Sequence, residues 1–502
     1  MRFDTSHLIV VCTVVAGTSV YCGAPRTAAA YVTVYGGPTY TPGSGGYQAY
    51  NLEACPIGDG FVSFTANKYS AAGANLGTRA VRVTTDGAPP LELATLGTSS
   101  SGVTSCYAYG GNAVGLVVGQ AHQYGSTGTD LGFRAVRWAP DGAATQLDDL
   151  MPGAVGNLRR SSANAIDGAG NVVGYSAKQG SGGADLGYRA VRWDAGGAAM
   201  TELEPLSVRP DGYANTYAST INVAGSVIGA SERYDASGAS LGLRAVRWPA
   251  GSTVPIELPT ISGLPTSNPE ARPAGINDAG VVVGSVRNYD VSGGAIDLHA
   301  VRWSADGSTV VELQSVEVSP QGYRFSSPSM INGAGVTVGS SAIYSVHSQF
   351  FGSTFYRAVR WSPDSTTPVV LGRPDIPESD SFAYAINASG TTVGYFRNYT
   401  FGTSIGTLPR AFAWDENGAW TDLNTLIDPA SGWILRYAYT ISDTGWIGGV
   451  GSFDPDGSGP RGAYDRNFLL QIPEPAALGL TITLAGAFSL TRRARRSEVG
   501  RP

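Results

Sequence analysis

Short runs in which apolar and polar residues alternate fill the chain from residue 31 to residue 472, and glycine-rich reversals separate them. A period of two marks strands with one buried face, and no segment sustains the 3.6-residue apolar period of a helix. The runs are copies of one another. The signature Arg-Ala-Val-Arg-Trp recurs with its last position at Val83, Trp138, Trp193, Trp248, Trp303, Trp361 and Trp414, and Arg466-Asn467-Phe468-Leu469-Leu470 closes the series. The first four intervals are 55 residues and the rest are 58, 53 and 56, which describes one unit repeated eight times.

A second signature precedes each of these strands. Its full form runs from Ala165 to Gly174 (Ala-Ile-Asp-Gly-Ala-Gly-Asn-Val-Val-Gly) and returns around Ile221, Ile276, Ile331, Ile386 and Ile441, with degraded copies near Leu52 and Asn112. Asn222, Asn277, Asn332 and Asn387 are each followed three residues later by glycine, at Gly225, Gly280, Gly335 and Gly390. Asn at the first and Gly at the fourth position suit a type I turn, since Asn caps locally and Gly accepts positive φ. Apolar flanks make the segment a hairpin. The Arg-Ala-Val-Arg-Trp strand then enters another hairpin, tipped by Asp86-Gly87, Asp141-Gly142, Asp306-Gly307 or Asn417-Gly418. On the returning strand Glu92, Glu202, Glu257 and Glu312 each follow Arg82, Arg192, Arg247 and Arg302 by ten residues. Folding about the turn predicts a cross-strand Arg–Glu pair in every such unit, worth roughly 0.2–1 kcal/mol and serving register.

Four short strands per unit predict an all-β chain, an eight-bladed β-propeller of ~55-residue repeats; a seven-bladed ring and a β-solenoid are the alternatives. Closure favours the ring of eight. The last unit stops at Leu470 without its returning strand, and residues 31–35, Tyr-Val-Thr-Val-Tyr, supply a spare one.

Both ends read as addresses. An apolar run over residues 8–20 follows Arg2 and His7 and precedes Ala28-Ala29-Ala30, the order of a secretory signal peptide over residues 1–30. Residues 473–502 begin with Pro473-Glu474-Pro475, continue uncharged from Ala476 to Leu490 and end in Arg492, Arg493, Arg495 and Arg496. Fifteen helical residues cover about 22 Å, short for a bilayer core of ~30 Å, with the arginines on the cytoplasmic side. This trio resembles the PEP-CTERM sorting signal. The resemblance implies a precursor tethered to the inner membrane of a Gram-negative bacterium, cut by an exosortase and passed to the outer surface or extracellular matrix. The two repeat signatures resemble the HAF family of extracellular repeats. The nearest copy is Ala385-Ile386-Asn387-Ala388-Ser389-Gly390-Thr391-Thr392-Val393-Gly394 with Arg410-Ala411-Phe412-Ala413-Trp414. That resemblance spans residues 31–472 and implies architecture and export, without an activity.

Composition narrows the function. Net charge is −6, and no basic patch lies in the body, which argues against nucleic acid as a partner. Cys12 and Cys22 fall in the leader, leaving Cys55 and Cys106 as a candidate disulfide in an oxidising compartment. The four histidines, His7, His122, His299 and His347, occupy unrelated positions, and no zinc, nucleophile-elbow or phosphate-loop spacing occurs. Polar residues are repeated where an enzyme would place them once. The chain therefore reads as a non-catalytic binding or structural module, with extracellular polysaccharide as the candidate ligand. The alternative is a polysaccharide-active propeller, a lyase or glycosidase, with a non-repeated acid or His cluster, first sought around residues 345–356 with His347.

Two sets of residues carry candidate binding chemistry. Tyr69, Tyr124, Tyr234 and Tyr289 each precede the end of the signature by 14 residues, with Tyr344 and Tyr399 nearby in register, and Gly-rich loops bearing Asn75, Asp130 or Asp185 follow. Such rings stack on sugars, and they equally serve to pin their own loops. Asp454, Asp456, Ser458 and Asp465, with Gly457 among them, space oxygen donors like a calcium loop, which makes Ca²⁺ the candidate cofactor.

Overall fold

In the computed structural model the chain forms eight antiparallel sheets and almost no helix, an eight-bladed β-propeller. It describes residues 33–472, apart from 37–39, 42–44, 50–56, 59, 152–159, 181, 198, 263–268, 290–293, 345–353, 373–378, 400–407, 458 and 460–461. Blade 3 gives the pattern: an inner strand Ser161–Ile166, a second strand Val172–Gln179, a third strand Asp185–Trp193 and an outer strand Met200–Glu202. Blades 2 and 4–7 repeat it, beginning at Cys106, Thr216, Glu270, Ser326 and Ser379. Blade 1 is irregular, a six-stranded sheet in which Gly45–Ala49 and Ile57–Gly58 both pair with Phe61–Tyr69.

The ring closes as its sequence predicts. Blade 8 consists of Trp433–Ile441, Trp446–Phe453 and Tyr464–Gln471, and its fourth strand is Val34–Gly36 from the other end of the chain. Val34 stands opposite Leu470, Tyr35 opposite Leu469 and Gly36 opposite Phe468. The closing strand thus begins three residues later than the sequence suggests.

Inner strands surround a central channel of about 710 Å³. In blades 2–7 the ladder between inner and second strands slips by one residue, as between Ala108 and Gly110, and Tyr109, Asn164, Ser219, Ala274, Ser329 and Tyr384 occupy the slip. They line the channel together with Tyr439, so one wall is aromatic and the other small and polar.

The repeated residues join blade to blade. Asn277 Oδ1 accepts the Val281 N–H at 2.9 Å, closing its own turn, while its Nδ2 donates to the Asn332 carbonyl of the next blade. Asn112, Asn222, Asn332 and Asn387 donate in the same way to carbonyls of residues 167, 277, 387 and 442. Each such amide satisfies buried backbone groups that would otherwise cost about 1–3 kcal/mol apiece. The tryptophans point the other way. Trp138, Trp193, Trp248, Trp303 and Trp361 are fully buried, and their indole N–H groups donate to carbonyls of the preceding connector, such as Asp148 O at 2.9 Å from Trp193. The five inter-sheet cores from blade 1 to blade 6 are each built around such a ring: Trp193 packs with Val118, Ala135 and Leu147 of blade 2.

The Arg–Glu pairs differ from those the hairpin predicts. Glu92, Glu202, Glu257 and Glu312 stand opposite Val81, Val191, Val246 and Val301, whereas Arg82, Arg192, Arg247 and Arg302 face Leu91, Thr201, Ile256 and Val311. The Asp86-Gly87 turn is symmetric about the bond between its two residues, and a one-residue offset in pairing moves a side chain to the opposite face. The glutamates bind the first arginine of the signature instead: Arg79–Glu92 at 3.1 Å, Arg189–Glu202 at 3.3 Å and Arg244–Glu257 at 3.4 Å. In blade 5 this arginine is replaced by His299, whose Nδ1 lies 2.8 Å from Glu312. Second arginines reach the next blade, Arg82 donating to the Gly115 and Pro140 carbonyls and Arg302 to those of Ser362 and Pro363.

Candidate functional site

Antiparallel order puts the inner-to-second and third-to-outer turns at one end of every sheet. The second-to-third loops and the connectors between blades lie at the other end. The first end is taken up by the asparagine and arginine links. Candidate binding chemistry gathers at the second.

Tyr124, Tyr234 and Tyr289 end second strands there, and their backbones pair with Asp130, Ser240 and Ala295 across the loop. Tyr69 does the same in blade 1, opposite Asn75. The hydroxyls bind within their own blade. Tyr234 donates to Glu232 at 2.7 Å, Tyr399 donates to Asp380 at 2.5 Å, and the Tyr124 oxygen lies 3.1 Å from His122 Nδ1. Burial and the Glu270 carboxylate together hold the Tyr289 hydroxyl above its usual value. Asp130 and Asp185 accept the N–H of Gly132 and Gly187 at 2.7 and 2.9 Å, and Asn75 accepts that of Gly77 at 2.7 Å. These contacts build the loops.

Non-equivalent residues break the symmetry instead. Between blades 3 and 4, Tyr175, Tyr188 and Tyr217 meet with centroids 5.3–5.5 Å apart. Beside them is a cleft of about 300 Å³, lined by Arg160, Lys178, Gln179, Asp185, Tyr188 and Tyr213 among others. Lys178 is held by Glu202 at 2.7 Å, and the Tyr213 oxygen accepts from Asn215 Nδ2 at 2.9 Å. A second aromatic group spans blades 6–8: Phe382 stacks on Tyr395 at 5.2 Å, with Tyr356, Tyr384 and Tyr437 around them. Arg160 and the aromatic groups escape a search for repeats, because what marks them is departure from the repeat at positions 55 residues apart.

Two histidine clusters also occur once each. In blade 2, His122 Nε2 lies 3.0 Å from Asp130 and the ring stacks on Phe133 at 4.2 Å. Burial holds this imidazole below its usual value despite the charge of Asp130. In blade 5, His299 is 3% exposed between Glu312 and Asp297, at 2.8 and 3.1 Å. Burial opposes its charged form, but the Glu312 hydrogen bond and the charge of Asp297 prevail and hold it above the usual value.

The remaining candidates find other roles or fall outside the described residues. Asp465 of the calcium-like loop pairs with Arg436 at 2.6 Å, while Asp454 accepts the Asp456 N–H; Ser458 is outside the description. Among the described residues no cluster of three or more His, Cys, Asp or Glu could hold a metal ion. Cys106 is a buried thiol pushed up to about 12 by desolvation, unpaired among the described residues; Cys55 lies outside them. The leader of residues 1–30, the segment around His347 and the sorting residues Pro473, Glu474, Pro475, Arg492, Arg493, Arg495 and Arg496 also lie outside. Among the described residues no helix is long and apolar enough to cross a membrane.

No family model matches the chain, and no curated protein matches it. Solved structures are similar at low identity. A puromycin hydrolase is 16% identical with a TM-score of 0.38, over 68% of this chain and 49% of the hydrolase, so the chain spans about half the length of that enzyme. The β-propeller domain of the Trilobed protease from Pyrococcus furiosus is 10% identical with a TM-score of 0.39, over 75% of this chain and 95% of the domain. The polysaccharide lyase Uly1 is 12% identical with a TM-score of 0.37, over 86% of this chain and 92% of the lyase. The assignment of the chain as an eight-bladed β-propeller rests on its own eight sheets.

Proposed function

We propose that the chain is an exported, surface-sorted propeller acting as a non-catalytic module of the envelope or extracellular matrix, with polysaccharide as its ligand. The observation that carries this reading is the half-buried group of Tyr175, Tyr188 and Tyr217 between blades 3 and 4, beside an open polar cleft. Tyrosine offers a sugar an apolar face and a hydroxyl at little conformational cost, which suits pyranose rings. The leader and the Pro473-Glu474-Pro475 tail support delivery to the surface, where exosortase-type processing would release the ring from its membrane tether. A glycan array probed with the full chain tests the reading. Binding that is lost in Tyr188→Ala is expected, and an array without signal above a loop-tyrosine control rejects it.

A second reading, that of a polysaccharide-active enzyme, is favoured by one observation. His122, Tyr124 and Asp130 form a hydrogen-bonded set that no other blade contains among the described residues. This reading requires the chain to shorten a polysaccharide, with release of reducing ends or unsaturated uronate, and His122→Ala to stop it.

A further inference from the structure

Blade 3 differs from its neighbours in that the regular closure of the loop end is replaced by a cation. In blade 7 the tyrosine at the end of the second strand, Tyr399, donates to Asp380, which stands near the start of the inner strand. In blade 5 the Glu270 carboxylate bears on the Tyr289 hydroxyl at the same place, and in blade 4 the corresponding Asn215 joins Tyr213 and Glu232, the acceptor of Tyr234. Moving back by 55 residues from Tyr234 and Asn215 gives Gln179 and Arg160. The tyrosine is lost and the acid or amide has become an arginine.

Arg160 is exposed, and its guanidinium meets no carboxylate among the described residues; the neighbouring residues 152–159 include no acidic side chain. The signature arginines Arg79, Arg134, Arg189 and Arg244, by contrast, are buried and each meets a carboxylate. Arg160 shares the lining of the cleft with Tyr188, one of the three tyrosines that meet between blades 3 and 4. The cleft it borders has Tyr188 and Tyr213 on its walls and Gln179 adding donors; its other charges are engaged locally, Lys178 by Glu202 at 2.7 Å and Asp185 by the Gly187 N–H at 2.9 Å. At about 300 Å³ it lies at the small end of the range for ligand pockets, roughly 300–1,000 Å³, a size for one sugar unit of a chain that continues outside.

We propose that this cleft recognises an acidic sugar unit of a polysaccharide, whose carboxylate pairs with Arg160 while its ring rests against Tyr188 and Tyr213. The proposal deepens the glycan-binding reading and depends on it. Arginine suits the task because its planar fork takes both carboxylate oxygens at once. An unpaired guanidinium at the rim also loses little on desolvation compared with a buried one. Where blades 5 and 7 present carboxylates at the equivalent position, an acidic sugar would be repelled, so a single such site per ring is expected.

The test titrates the full chain calorimetrically with oligomers of galacturonic, glucuronic and mannuronic acid, and with their neutral methyl esters. At least one acid form is expected to bind more tightly than its ester, with an affinity that falls as salt rises. Arg160→Gln should weaken that acid form by about 10- to 100-fold, the range of a charged hydrogen bond, and leave the ester unchanged. Copying the blade 7 arrangement into blade 3, by Arg160→Asp with Gln179→Tyr, should abolish acid binding altogether. Equal binding of acid and ester, unmoved by Arg160→Gln but lost in Tyr188→Ala, would overturn the acidic specificity and leave glycan binding in place. No binding of any oligomer to a chain that is also silent on the array overturns both.

Discussion

At the scale of single residues, the repeated side chains divide their hydrogen-bonding capacity between their own blade and a neighbour. Asn277 is the clearest case, with its oxygen spent locally and its amide nitrogen on the next turn. His299 shows the effect of filling such a place with a different side chain. It replaces an arginine that is charged at every accessible pH with a group that titrates. Its surroundings are Asp297 on its own strand, Glu312 on the outer strand and Arg324 on the following connector, 3.9 Å from Glu312. The folded chain holds the imidazolium above the unfolded reference of 6.5, so its contribution to stability is complete below about pH 6.5 and fades as pH rises through the folded-state value. Denaturant midpoints measured across pH 5.5 to 8.5 should therefore fall with pH in the wild type. His299→Arg, which restores the residue of other blades, should flatten that dependence. An unchanged slope in the variant would contradict the assignment.

At the scale of the blade, the sequence reveals a great deal. The units, the two turns and the returning strand all follow from apolar alternation and from Asn and Gly at fixed offsets, because these encode local geometry directly. The partner of the glutamate does not, because the face a strand presents hangs on a register of one residue, and Val81 rather than Arg82 falls opposite Glu92. The cleft is legible only in retrospect: Arg160 belongs to no motif, and its meaning comes from the Asn215, Glu270 and Asp380 that stand in its place elsewhere. Bulges supply a further test at this scale. Gly187, at φ 78°, sits where Lys178 faces two residues of the third strand, and an added Cβ would lie 2.4 Å from the Ala214 carbonyl of the next blade. Gly182, in the same loop at φ 84°, has nothing within 4 Å. Gly182→Ala should cost about 1–2 kcal/mol for the left-handed backbone alone. Gly187→Ala should cost more, since the interface must also shift, and equal losses in equilibrium unfolding would show that the close approach is relieved without penalty.

For the whole molecule, closure depends on three residues, Val34–Gly36, laid against Tyr464–Gln471. Deleting residues 33–36 should leave the seven blades from blade 1 to blade 7 intact and raise amide exchange in Tyr464–Gln471 and Trp446–Phe453. Uniform protection across all eight sheets after the deletion would mean that the ring is held by its inter-blade links without the closing strand. Those links are of two kinds: a side chain donating to a main-chain carbonyl, as from Asn332 to residue 387 or from Trp193 to Asp148, and a main-chain N–H donating to a side chain, as from Ala135 to Ser161 or from Ala300 to Ser326. In the first kind the accepting blade contributes only its main chain, which no substitution removes. Where a link ends on a carbonyl, a blade can change its side chains without disturbing its neighbour's hold. A chain assembled in this way is free to diversify one loop at a time while the frame that carries the loops stays constant.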